Sequence, residues 1–171
     1  MGARVRLALI GFMGAGKTTV GRRVAAALGV PFLDADEALV AREGRSIPQL
    51  FAEEGEAGFR ARERSMLEEL FALAEGVVAL GGGAIEHEEL GSLAVGWEVA
   101  YLAVPLDVAL ARVGGDAGRP ILARPDLAEV YARRAARYAA LATVQLEASG
   151  PPEETVRALV AHLSDPRRCD G

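Results

Sequence analysis

Residues Gly11-Phe12-Met13-Gly14-Ala15-Gly16-Lys17-Thr18 constrain this chain more than any other stretch. They follow an apolar run, Val5-Arg6-Leu7-Ala8-Leu9-Ile10, and precede residues 17–28, where Val20, Val24 and Leu28 share one helical face. A buried strand that stops at a glycine turn and re-enters as a helix aims backbone N–H groups at one point. The helix start adds its partial positive charge there. Drawn at random from this composition, the Gly-x4-Gly-Lys-Ser/Thr pattern would occur roughly 0.0007 times, so it is not a chance turn. Lys17 is the single lysine among 18 arginines, and a compact ammonium on a slim stem is what a wrapped polyphosphate requires. Lys17 is expected at the β/γ-phosphates and the Thr18 hydroxyl on Mg²⁺. The loop leaves the phosphate acceptor open: a small-molecule kinase, a nucleotide kinase and a nucleotide-sensing switch all fit.

The rest of the chain reads as alternating strands and helices. Residues 31–33, 77–80, 99–104 and 143–146 supply four further strands, separated by helical patterns. That alternation predicts a parallel sheet with helices on both faces. Ser46 with Gln49 forms a capping box, Gly55 breaks the helix it opens, and 59–75 resumes with Met66, Leu67, Leu70 and Phe71 along one side. Glycines and a proline in 114–120 mark a loop suited to a lid. Pro151-Pro152 opens a last helix, and 164–171 reads as a frayed, flexible tail.

With 171 residues, 51% hydrophobic and 25% charged, one globular domain follows. A net charge of −5 argues against a nucleic-acid partner. No apolar run has the length of a membrane span, and no leader precedes the first strand. Cys169 stands alone, which excludes an intrachain disulfide. A cytoplasmic monomer is the expectation.

Asp34 and Asp36 fall at the carboxyl end of the second strand, where open α/β sheets bind ligands. Two positions apart, they point the same way if the strand persists. One acid near a metal and one near an acceptor hydroxyl is what phosphoryl transfer to an alcohol needs. The competing reading is that Asp36 caps the following helix. Gly81-Gly82-Gly83, after the third strand, can admit a ligand close to the backbone or form a plain tight turn. His87 and His162 are expected in solvent, Trp97 in edge packing, and Met13 at a variable loop position.

In chain order, Gly11 to Thr18, Asp34-Ala35-Asp36, Gly58-Phe59-Arg60-Ala61-Arg62-Glu63, Leu80-Gly81-Gly82-Gly83, Arg119-Pro120 and Arg134-Ala135-Ala136-Arg137-Tyr138 resemble the motifs of shikimate kinases. The likeness spans nearly the whole chain. It implies an α/β, three-layer P-loop kinase fold with a five-stranded parallel sheet in the order 2-3-1-4-5. Residues 1–171 would form one domain, with a substrate-binding segment over 34–61 and a lid over 112–125. The implied reaction moves the γ-phosphoryl group of ATP, with Mg²⁺, to the 3-hydroxyl of shikimate, giving shikimate 3-phosphate for aromatic amino-acid (chorismate) biosynthesis.

The same resemblance implies the residue roles. Gly14, Ala15, Gly16, Lys17, Thr18 and Thr19 hold the ATP phosphates, with Thr18 and Asp34 at the metal. Asp36 contacts the acceptor hydroxyls and is the candidate base. Arg60 and Arg134 hold the substrate carboxylate beside Gly81, Gly82 and Gly83. Lys17 and Arg119 stabilise the transferring phosphoryl group, Arg119 from the lid. Arg112 and Pro152 flank the adenine.

The chain departs from the family at Ala136, where relatives usually carry proline, in a shorter 126–134 segment, and at Gly150, near a usual arginine. Adenine contacts are therefore expected from backbone and apolar packing. The glycine triplet and Phe59-Arg60 speak against a gluconate or nucleoside monophosphate kinase. Lys17, Asp34, Asp36 and Arg119 speak against a regulator without catalysis. With no histidine or cysteine near a motif, direct transfer without a phosphoenzyme is expected.

Overall fold

The computed structural model describes residues 4–114 and 120–165. Leu7, Ala8 and Leu9 of β1 (Arg6–Ile10) are all fully buried, so both faces of this strand are covered. Such strands lose the polar–apolar alternation of a half-exposed sheet, which is why β1 reads as one apolar run. It pairs in parallel with β3 (Gly76–Ala79) on one side and β4 (Glu98–Ala103) on the other. The short β2 (Phe32–Asp34) and β5 (Val144–Glu147) add outside these, giving the parallel order β2-β3-β1-β4-β5. The expected fold class and strand order are found.

Helix α1 (Lys17–Leu28) begins where the glycine turn ends and packs on β1, β2 and β3. It also packs against α7 (Pro152–Leu163), which Pro152 starts at a position where its missing N–H has no helical partner to lose. On the other side of the chain's middle, α2 (Ala35–Glu43) packs against α3 (Ile47–Phe71). The Ser46–Gln49 capping box opens α3 as expected. Gly55 kinks it at φ +70°, ψ −178°, a conformation closed to residues with a Cβ. Helix follows the kink at once and ends at Phe71, four residues earlier than the 59–75 pattern suggests. Beyond Phe71 the chain must turn into β3.

The kink is strapped by charge. Glu54 accepts from Arg62 Nε (2.8 Å) and from Arg45 Nη2 (2.7 Å), joining both arms of α3 to the α2–α3 connection. Arg62, then Arg45, hold the Glu54 carboxyl down at about 2. Its charge therefore persists in acid, and its contribution fades only as pH falls from the ordinary carboxylate range through about 2.

Short α4 (Leu90–Leu93) and α5 (Leu106–Val113) flank β4, and α6 (Leu127–Leu141) packs on it. Trp97 is buried edge-on to Phe71, its ring centroid 5.3 Å away, and donates to the Phe71 carbonyl. No helix among the described residues is long and apolar enough to cross a membrane.

Candidate active site

Where β1 ends, the chain turns through Gly11 to Gly16 and enters α1 with no side-chain cap. The Lys17 ammonium donates back to the carbonyls of Gly11 (2.8 Å) and Phe12 (3.0 Å), which holds it at its own loop. A cavity of about 180 Å³ lies here, bounded by Gly14, Gly16, Lys17, Thr18, Thr19 and Asp34 among others. Ala15 is buried, so it can offer a ligand only backbone.

Asp34 and Asp36 reach this region by a route the spacing does not suggest. The strand stops at Asp34, and the pair do not share a strand face. Asp34, not Asp36, is the cap of α2: its Oδ1 accepts from the N–H groups of Asp36 (3.0 Å) and Glu37 (3.1 Å). Capping gives the backbone a competing partner exactly where a sheet ladder would otherwise continue, and the helix wins. The second oxygen, Oδ2, accepts from the Thr18 hydroxyl at 2.5 Å. Asp36 sits in the first turn of α2 instead.

The Thr18–Asp34 pair bears on Mg²⁺. Both are oxygen donors, already in contact, in the wall of the phosphate cavity. Mg²⁺ is typically held by one or two protein oxygens, with phosphates and water completing the shell. Among the described residues no group of three or more His, Cys, Asp or Glu is placed to hold a metal by itself.

A second, larger cavity of about 520 Å³ opens beside the first, a volume suited to a small organic ligand. Asp36, Gly81, Gly82 and Met13 belong to both walls. Arg60, Glu63 and Arg134 line the larger one, with Pro120, Ile121 and Arg124 from the segment over 120–124. Met13 is thus a wall residue, buried to 5% exposure.

The glycine triplet has two distinct tasks. A Cβ on Gly81 would lie 2.7 Å from Asp36 Oδ1, and one on Gly83 would lie 2.3 Å from Arg60 Nη1. The Asp36 carboxylate and the Arg60 guanidinium therefore occupy the space that side chains at 81 and 83 would fill. Between them, the Gly82 carbonyl accepts from the Tyr138 hydroxyl. Burial pushes the Tyr138 ionisation up, so the hydroxyl stays a donor.

Each cavity arginine is backed by a carboxylate. Arg60 Nη1 bonds Glu63 at 2.5 Å, and Glu63 in turn contacts His87 Nε2 at 2.9 Å. His87 is therefore not solvated as the sequence suggests: its side chain is only 10% exposed. His162, 34% exposed, contacts Glu98 at 3.2 Å. Arg134 is buried, while its competitors Arg133 and Arg137 are outside the cavity wall and more exposed. The one-turn spacing of Val130, Arg134 and Tyr138 places all three on the buried face of α6.

Arg112 touches neither cavity. It donates to the carbonyls of Gly14 (3.3 Å), Ser149 (2.7 Å) and Gly150 (3.3 Å), tying α5 and the phosphate loop to the turn before α7. The Gly150 region thus gains a guanidinium from α5 in place of one of its own. Pro152 starts α7 beside it. Arg119, residues 166–171 of the tail and Cys169 lie outside the described residues.

The order of these parts along the sheet can be compared with known proteins. The family model for shikimate kinase matches residues 13–164. The chain belongs to the shikimate kinase family. Within it, the shikimate kinase of Salinispora tropica is 44% identical over 158 residues, which covers 91% of this chain and 95% of that protein. Two solved members superpose closely. Shikimate kinase from Acinetobacter baumannii in complex with shikimate gives a TM-score of 0.85 at 33% identity, covering 92% of this chain and 94% of that one. The enzyme from Aquifex aeolicus gives 0.84 at 34% identity, covering 98% and 100%.

Glu63, Glu86 and His87 are the polar groups around the arginines to which sequence reasoning gave no role. A carboxylate whose partner lies tens of positions away carries no local pattern. For Glu63 the one available signal was its three-residue spacing from Arg60 on a helix.

Proposed function

We propose that this protein transfers the γ-phosphoryl group of ATP to the 3-hydroxyl of shikimate, giving shikimate 3-phosphate and ADP. The observation that carries the reading is the wall shared by the two cavities: Asp36 stands between a phosphate loop and a chamber holding Arg60 and Arg134. Gly14 to Thr19 take the nucleotide phosphates, and Thr18 and Asp34 hold Mg²⁺. The ion, when bound, neutralises charge on the phosphate oxygens.

Arg60 and Arg134 take the acceptor's carboxylate. A guanidinium offers two parallel N–H donors to a planar carboxylate, so the pair fixes the ring's position and orientation. The acceptor hydroxyl then faces Asp36. As its oxygen bonds to the γ-phosphorus, Asp36 takes the proton, and the bond from phosphorus to the β–γ bridging oxygen breaks to release ADP. Lys17 follows the charge on the transferring group, joined by Arg119 from a lid over 112–125. His87 is engaged by Glu63 and lies outside both walls, which supports direct transfer without a phosphoenzyme. A monomer at work in the cytoplasm is part of this reading.

A coupled assay of ADP release tests the reading. Shikimate is expected to stimulate ADP formation, while gluconate and nucleoside monophosphates leave it at background; stimulation by either of those in place of shikimate would refute it. Arg60→Lys is expected to raise the KM for shikimate about tenfold with little change in kcat, because one ammonium cannot reproduce a two-point edge. Steady-state kinetics with varied shikimate reads this directly, and an unchanged KM would remove Arg60 from the clamp.

A further inference from the structure

Glu86 is a hub for three arginines. Its Oε1 accepts from Arg134 Nε (2.8 Å) and Arg133 Nη2 (3.2 Å), and its Oε2 accepts from Arg137 Nη1 (2.9 Å). It ends a 3-10 turn, Ala84–Glu86, that follows the glycine triplet. It does not bound the substrate cavity, whereas Arg134 does. Burial pushes the Glu86 carboxyl up, but Arg134 and then Arg133 outweigh it and hold the group ionised.

The geometry decides what this contact does. A guanidinium is planar and presents its five N–H donors along fixed edges. Glu86 occupies Nε of Arg134, which leaves the terminal nitrogens as the edge able to meet a second carboxylate. A buried cation without a partner is costly, so Arg134, with its side chain only 8% exposed, depends on such a neighbour. Glu86 also belongs to the same short segment as Gly82, to which α6 is fastened a second time through Tyr138. We infer that Glu86 is a positioning residue for the acceptor: it sets the orientation in which Arg134 presents its terminal nitrogens to the substrate carboxylate. This rests on the reading that Arg134 and Arg60 hold that carboxylate.

A plain neutralising role makes the opposite forecast. Removing one negative charge from among three arginines would raise the positive potential and draw an anionic acceptor in more tightly. Loss of orientation weakens it. Shikimate kinetics of Glu86→Gln, Glu86→Asp, Arg134→Ala and the Glu86→Gln/Arg134→Ala double variant separate these cases. Glu86→Gln is expected to raise the shikimate KM about tenfold, with kcat and the ATP KM within about twofold. It should add nothing in the Arg134→Ala background, and Glu86→Asp should recover part of the loss.

An unchanged or lowered KM in Glu86→Gln, beside a raised one in Arg134→Ala, overturns the inference and leaves the proposed function standing. An unchanged KM in Arg134→Ala removes the clamp itself, and the inference with it. Thermal melts accompany each variant. If Glu86→Gln does not fold, Glu86→Asp decides: its shorter reach should raise the KM about threefold, and no rise overturns the inference.

Discussion

Asp36→Asn should lower kcat by about 10² to 10⁴ while leaving the KM for ATP unchanged and that for shikimate within a few-fold. The substitution is nearly isosteric, so the walls of both cavities keep their shape. The amide cannot take a proton from the attacking hydroxyl, yet it can still accept or donate a hydrogen bond to it. Binding should therefore survive where turnover does not, and that separation is the signature of a group acting in the transition state. The position of Asp36 makes the expectation specific. It is in the first turn of α2. Its Oδ1 also lies against the α-carbon of Gly81, in the wall common to both chambers. Initial rates from the coupled assay, over a full matrix of ATP and shikimate concentrations, read kcat and both KM values together. A kcat within tenfold of the unsubstituted protein would show that Asp36 only positions the hydroxyl, and that the proton leaves by another route.

How much of this was legible beforehand depends on where the determining partner lies in sequence. The phosphate loop was readable because strand, turn and helix are contiguous and each imposes its own residue types. The parallel sheet was readable because burial of β3 and of the central residues of β1 and β4 leaves continuous apolar runs. Asp34 and Asp36 were found from their place at the carboxyl end of β2, which holds, and from a shared strand face, which fails. Their spacing suggested a common strand face, but a capping carboxylate ends β2 and turns the next residues into helix. Both acids still border the phosphate cavity, one as cap and one from the first helical turn.

Longer-range relations were less visible. Three arginines within five positions could not be ranked by composition, and burial together with a place in the larger cavity's wall now distinguishes Arg134. The one-turn spacing of Val130, Arg134 and Tyr138 was available as a signal. Glu86 gave none, since it is joined to Arg134 across 48 positions. His87 likewise looked solvated because Glu63, its partner, is 24 residues away on another element.

Gly83→Ala should cut kcat/KM for shikimate by about 100-fold, chiefly through KM. The backbone at Gly83 has φ −86° and ψ −8°, which alanine adopts without strain. The obstacle is space. The new methyl would sit 2.3 Å from Arg60 Nη1 and 2.5 Å from Nη2, far inside van der Waals contact. The far end of an arginine can move aside at small cost, so the fold should absorb the change by expelling the guanidinium from its place. That movement breaks the contact with Glu63 and takes the two-point donor edge away from where the acceptor's carboxylate would lie. Charge-assisted bonds of this kind contribute about 1.5–3 kcal/mol each, so losing the pair accounts for the expected factor. The effect should fall mainly on the KM for shikimate, and Gly83→Ala should add nothing to Arg60→Ala. A glycine at 83 serving only the turn predicts the reverse pattern: an unaltered KM, and independent effects in the double variant.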